Sequence, residues 1–151
     1  MFYIEEAEMV KSASHGTVLN SDSRRECEEI MERVRREDPT YFPYGCDIHG
    51  HVATGGNVYM IRSASTKKAV GFTGWQEFQE KSASGQPIKV GYYSIGVLPE
   101  YRQQGFAKAA ITQLLRIKAA TVDQVKAFVV PHNSRSIRLA ERLGIPVVHD
   151  A

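Results

Sequence analysis

The sequence is poor in the features that announce a special environment. It has two cysteines, Cys27 and Cys46, whose spacing fits no zinc pattern, so neither a disulfide scaffold nor a structural metal is supported. His49 and His51 form an H-x-H pair without a third ligand in view. No apolar run approaches membrane-spanning length, and the start, Met1-Phe-Tyr-Ile-Glu-Glu, has no basic segment leading into an apolar one. Charge of one sign is lacking too: 19 Lys and Arg against 17 Asp and Glu leave a formal +2, too little to draw the chain to nucleic acid or an anionic membrane. No repeat and no low-complexity linker divides it. These absences predict one domain over residues 1–151 in the cytoplasm, with no metal, nucleic-acid or membrane partner. The hydrophobic fraction of 42% in 151 residues is enough for one core.

What is present concentrates around Val97-Leu-Pro-Glu-Tyr-Arg-Gln-Gln-Gly-Phe-Ala107. Lys89 to Val97 is rich in β-branched and aromatic residues and reads as a strand. Ala107, Ala110, Ile111, Leu114 and Leu115 then recur at helical spacing. A glycine-containing loop between a strand and an amphipathic helix reads either as a plain turn or as an anion site. In the second case Gly105 lets backbone approach a ligand, and the helix start offers unpaired N–H groups and a positive dipole end.

The rest of the chain predicts a mixed α/β fold. Phe2 to Met9 reads as a strand. Ser23-x-x-Glu26 reads as a capping box opening a helix with Cys27, Ile30, Met31 and Val34 on its apolar stripe, ended by Glu37-Asp-Pro39. Residues 39–51 are aromatic and irregular. Asn57 to Ser63 and Lys68 to Phe78 read as a hairpin, followed by a long polar connection from Glu80 to Pro87. Val125 to Val130 reads as a further strand, and the chain after Gly144 has room for one short strand.

The R-x-x-G-x-A loop, with Arg102, Gly105 and Ala107, resembles the acetyl-coenzyme A pyrophosphate loop of the GCN5-related N-acetyltransferases, the GNAT superfamily. Asn133-Ser-Arg-Ser-Ile-Arg-Leu-Ala-Glu-Arg-Leu-Gly144 is similar to that family's second signature helix. The resemblance implies a mixed central sheet flanked by helices; the family usually ends with a hairpin of two longer strands, so the few residues after Gly144 predict C-terminal strands that are shortened or missing. It implies transfer of an acetyl group from acetyl-CoA to an amine of a small molecule or protein. Gln103, Gln104, Gly105, Phe106 and Ala107 would cradle the pyrophosphate, with Arg102 adding charge; Ile95 and Val97 would bond the pantetheine arm through their backbone. Asn133 reads both as a helix N-cap and as a pantetheine contact, and Ser136 belongs to the same signature.

Two departures bear on catalysis. Many family members have a tyrosine seven residues after the asparagine that protonates the leaving thiolate; here it is Ala140. The strand before the phosphate loop has no carboxylate, leaving Glu77, His132, Asp47, His49 and His51 as candidate bases, of which Glu77 and His132 are carried forward. The alternative is a non-catalytic GNAT-like module with an assembly role in a longer polypeptide, such as a phage virion protein. The short C-terminus further predicts an edge open to a second copy or a partner strand.

Overall fold

The computed structural model describes residues 2–6, 9–12, 16–19, 21–37, 56–64, 66–129 and 133–149. Cys46, Asp47, His49, His51 and His132 lie outside them, as does the aromatic segment they interrupt.

Among the described residues, eight strands and three helices follow in the order β1 (Phe2–Glu6), β2 (Met9–Ser12), β3 (Gly16–Leu19), α1 (Ser21–Glu37), β4 (Asn57–Ser63), β5 (Ala69–Lys81), β6 (Pro87–Val97), α2 (Phe106–Lys118), β7 (Gln124–Phe128), α3 (Ser134–Arg142) and β8 (Val147–Val148). Six of the strands form one sheet in the order β1-β4-β5-β6-β7-β8, while β2 and β3 pair separately as a hairpin. The pairs from β1 to β6 are antiparallel; β6 with β7 and β7 with β8 are parallel. The sheet is therefore mixed, as expected, and the last strand is two residues long.

Some boundaries differ from the sequence reading for local reasons. The first strand ends at Glu6, and Met9 begins the separate hairpin. Helix α1 begins at Ser21, so Ser23 and Glu26 lie inside it and form no capping box. Glu26 instead pairs with Arg62 on β4. The connection from Glu80 to Pro87 is shorter than it reads, because β5 and β6 run on to Lys81 and from Pro87. Ser82 N–H donates to Gln86 O at 2.8 Å and Gly85, at φ 81°, completes the turn.

Strand periodicity divides β5 between two layers. Trp75, with Tyr93 and Ala127, packs against Ile111 and Leu114 of α2 and Ala140 of α3. Phe72, on the other face, packs with Leu98 against Val34 of α1. A bulge between Ile61 and Arg62 displaces Val70, which joins Ile61, Val97 and Ala110 in a third cluster. Ile30, Met31 and Val34 of α1 pack on one face and Ala110, Ile111 and Leu114 of α2 on the other, so the helices clamp the strand that leads into the glycine loop.

Candidate functional site

The site begins where β6 parts from β7. Their register runs from Val90↔Gln124 to Tyr93↔Ala127 and stops, although β6 continues to Val97. Past that point β7 turns to β8 instead, with Val129 N–H donating to Val148 O at 3.0 Å. Asp123 N–H donates to Lys89 O, so the odd-numbered residues of β6 face β7 with their backbone polar groups. The same phase turns the N–H and C=O of Ile95 and Val97 into the opening, while Leu98 N–H goes to Val70 O on β5. The Val97 carbonyl accepts from Arg102 Nε at 3.0 Å.

After β6, Pro99–Tyr101 form a single 3-10 turn and the loop coils into α2. Gln103 at φ 62° and Gly105 at φ 83° both adopt the left-handed conformation, which is ordinary for glycine and strained for glutamine. Tyr101 and Phe106 meet edge to face at 6.0 Å and close the ends of the loop. Gly105 is the N-cap of α2, so no side chain caps that end, and the first turn contains no acidic residue. The N–H groups and dipole of α2 therefore present positive potential without internal compensation.

Helix α3 closes the other side. Asn133 is buried and caps it, its Oδ1 accepting from Ser136 N–H at 3.2 Å. The helix turns Ile137 and Ala140 to the core, and Arg135, Arg138, Leu139 and Arg142 to a cleft of about 330 Å³. That cleft also takes in Ile95, Gly96, Val97, Arg102, Gln103, Gly105, Phe106, Ala107, Lys108, Asn133 and Ser136. Among the described residues lining it, five side chains are cationic and none is a carboxylate. The charge of such an arrangement is complementary to a polyanion.

Nearly all the residues singled out in the signatures thus come together; Gln104 sits one residue outside the lining, its side chain donating to Glu100 O at 3.2 Å. Glu77 is placed elsewhere. It shares a sheet face with Trp75, accepts from Trp75 Nε1 and Thr121 Oγ1, each at 2.9 Å, and lines neither cavity described here. Burial raises its pKa, but those hydrogen bonds and the charges of Lys89 and Lys118 outweigh it and hold the carboxyl below its ordinary range. Ala140 is fully buried in the core cluster and contributes nothing to the cleft.

Lys108 and Arg142 were not singled out from the sequence. Arg135, Arg138 and Arg142 recur at i, i+3 and i+7, the only sequence signal for a shared face. A second cavity, of about 590 Å³, opens on the sheet face occupied by α1 and meets the first along β6: Tyr92 to Ser94 line one, Ile95 to Val97 the other. Phe78, Glu80 and Phe128 line it as well. Alternation of apolar and polar residues along β5 was its only trace in the sequence.

A family model described as the acetyltransferase (GNAT) family matches residues 20–145, most of the chain and all of this site. The chain belongs to that family. The GNAT fold is also that of its structural neighbours. A tetramutant of the BH1408 protein from Bacillus halodurans shares 16% identity over 98% of this chain and 96% of its own, with a TM-score of 0.66. The aminoglycoside N-acetyltransferase AAC(6')-Iy, solved in complex with CoA, covers 100% of this chain and 91% of its own at 15% identity and a TM-score of 0.65. The aminoglycoside 6'-N-acetyltransferase AAC(6')-Ih from Acinetobacter baumannii covers 100% and 95% at 16% identity and 0.62. No curated protein matches the sequence.

Proposed function

We propose that this GNAT protein is a cytoplasmic N-acetyltransferase that moves an acetyl group from acetyl-CoA to an amine. The observation that carries the reading is the cleft where β6 leaves β7: among the described residues, five cations, no carboxylate and the uncapped start of α2 lie around it. A CoA pyrophosphate and ribose phosphate are polyanionic and suit that charge. Gln103 to Ala107 would offer backbone N–H groups to the pyrophosphate, with Arg102, Lys108 and the α3 arginines supplying charge. Asn133 and Ser136 stand beside the path to β6, where Ile95 and Val97 would bond the pantetheine amides. The N–H of Val97 would polarise the thioester carbonyl, an effect worth several kcal/mol in acyl transfer. No helix among the described residues is long and apolar enough to cross a membrane.

The second cavity supports the direction of approach. An amine entering there arrives at β6 on the opposite face of the sheet from α2 and α3. Its lone pair forms the C–N bond to the acetyl carbon while the C–S bond breaks and that electron pair goes to sulfur. The proton lost by the amine ends on the thiol, so the products are an amide and free CoA. Glu77 is held by Trp75 and Thr121 and is not the proton acceptor in this reading; water suffices for an amine of low pKa.

A second reading, a non-catalytic module with an assembly role, is favoured by Ala140, which leaves the usual proton donor absent from α3. The two-residue β8 favours a partner strand at that edge. Calorimetric titration of the whole protein with acetyl-CoA separates the readings. Micromolar binding that weakens with added salt supports the transferase; absence of binding at millimolar ligand rules it out.

A further inference from the structure

We propose that Arg102 is a specificity-determining residue that makes binding of the pantetheine arm conditional on phosphate: it holds the Val97 carbonyl until an anion in the cleft draws its guanidinium away. The proposal rests on the acetyl-transfer reading above and assigns a selectivity to the same site, for acetyl-CoA over thioesters of pantetheine without phosphate.

A strand that loses its neighbour has to satisfy its backbone groups in another way. The pairing of β7 with β6 stops at Tyr93, so the odd-numbered groups beyond it have no partner on β7. At Val97 a side chain takes the place of that strand, with Arg102 Nε donating to the carbonyl at 3.0 Å. The 3-10 turn brings the two together: Tyr101 N–H donates to Leu98 O at 2.9 Å and Arg102 N–H to Pro99 O at 3.2 Å, which folds the chain back over the end of β6. Val97 is buried, so an unpaired acceptor there is costly. Gln103, directly after Arg102, keeps a left-handed φ of 62°, a conformation that persists only where its surroundings hold it, as at ligand clamps.

A pantetheine amide needs the same carbonyl. The guanidinium gives it a charge-assisted hydrogen bond, whereas an amide N–H gives a neutral one of about half the strength. An arm arriving alone exchanges the stronger bond for the weaker. Phosphate reverses the balance, because Arg102 lines the same cleft as the start of α2, and an anion bound there offers the guanidinium two oxygens of opposite charge. With Arg102 turned to the anion, the Val97 carbonyl is open to the arm. The two parts of the cofactor then assist each other through one side chain.

The test uses the full chain, calorimetry and two fragments, pantetheine and inorganic pyrophosphate. Saturating pyrophosphate is expected to tighten pantetheine binding by about tenfold, and pantetheine to tighten pyrophosphate binding by the same factor, since coupling between sites is reciprocal. Arg102→Met should bind pantetheine alone more tightly than the parent, bind pyrophosphate more weakly and lose the coupling. A residue that only attracts phosphate or supports the fold would not improve pantetheine binding when removed. In isotope-labelled parent protein the Arg102 Nε–H should be protected from solvent exchange until pyrophosphate is added, which reads the contact without any variant. Pantetheine binding that is indifferent to pyrophosphate, no pantetheine binding at saturating pyrophosphate, or coupling that survives in Arg102→Met overturns the proposal, and the transferase reading stands if acetyl-CoA binds. Failure of acetyl-CoA itself to bind removes both.

Discussion

The indole of Trp75 lies across the backbone of Gly91 on the neighbouring strand, so that a Cβ at Gly91 would fall 2.2 Å from two of its ring carbons. Trp75 is opposite Tyr93 in register, and its ring reaches diagonally by two residues, which only a glycine accommodates. The ring is 1% exposed and cannot swing away without opening the core beneath α2. Gly91→Ala is therefore expected to destabilise the protein by about 1–3 kcal/mol, the cost of overpacking. Urea unfolding measures it. In a double-mutant cycle with Trp75→Phe the two losses should not add, because the smaller ring frees the space; strict additivity would disprove the contact.

Gly105 answers to a different constraint. A Cβ there would meet nothing within 4 Å, so the demand for glycine comes from its φ of +83°. Gly105→Ala should cost about 1 kcal/mol in stability, and Gly105→Asn less, since asparagine tolerates the left-handed region. Gly105→Val should weaken acetyl-CoA binding by more than tenfold, as a branched side chain rises from the N-cap into the cleft. Thermal melts and calorimetry on the same samples separate strain from obstruction.

Asn133 closes the first turn of α3 through Ser136 N–H. Asn133→Ala should lose about 0.5–2 kcal/mol, whereas Asn133→Asp and Asn133→Ser should retain the cap. A drop in acetyl-CoA affinity for the aspartate variant without a change in melting temperature would identify a contact with the pantetheine arm; equal affinity would leave capping as its whole role.

The Tyr93 hydroxyl is buried and has no hydrogen-bond partner among the described residues. Burial pushes its pKa up to about 12 from 10.0. As pH rises the unfolded chain ionises first, so the stability tied to the neutral hydroxyl is complete below pH 10 and is lost as pH climbs toward 12. Tyr93→Phe should flatten this alkaline loss. Tyr92, raised to about 12 by burial and by Glu80, keeps part of the slope. At neutral pH the variant should be as stable as the parent or more so, because an unsatisfied polar atom is removed. Denaturant midpoints between pH 8 and 11.5 test both points.

The strand, loop and helix from Lys89 to Lys118 were legible because they are consecutive, and local period and glycine placement set them. The α3 arginines were legible only in part: Arg135 and Arg138 fall on the polar side of the signature helix, which leaves open a solvated face or one arginine reaching the nucleotide end of a cofactor. A polar helix face reads equally well as a solvated one, and it becomes part of a cleft only because β7 leaves β6 after Ala127. Glu77 carried a signal that was available: it follows Trp75 by two, so it shares the face of a residue bound for the core. Glu26 was misread as a cap because its partner, Arg62, is distant in sequence.

By itself the sequence determined α1, the order of strands and helices from Asn57 onward, the glycine at the start of α2 and the capped α3, each set by a few neighbouring residues; the β2–β3 hairpin it did not announce. Tertiary structure alone decided that β6 and β7 separate at Tyr93, that five cations from two helices and a loop converge, and that Phe78 and Phe128 flank a cavity on the other face. Those arrangements join residues about 30 to 50 positions apart through sheet register, and register is fixed by which faces can be buried together rather than by any local run of the chain.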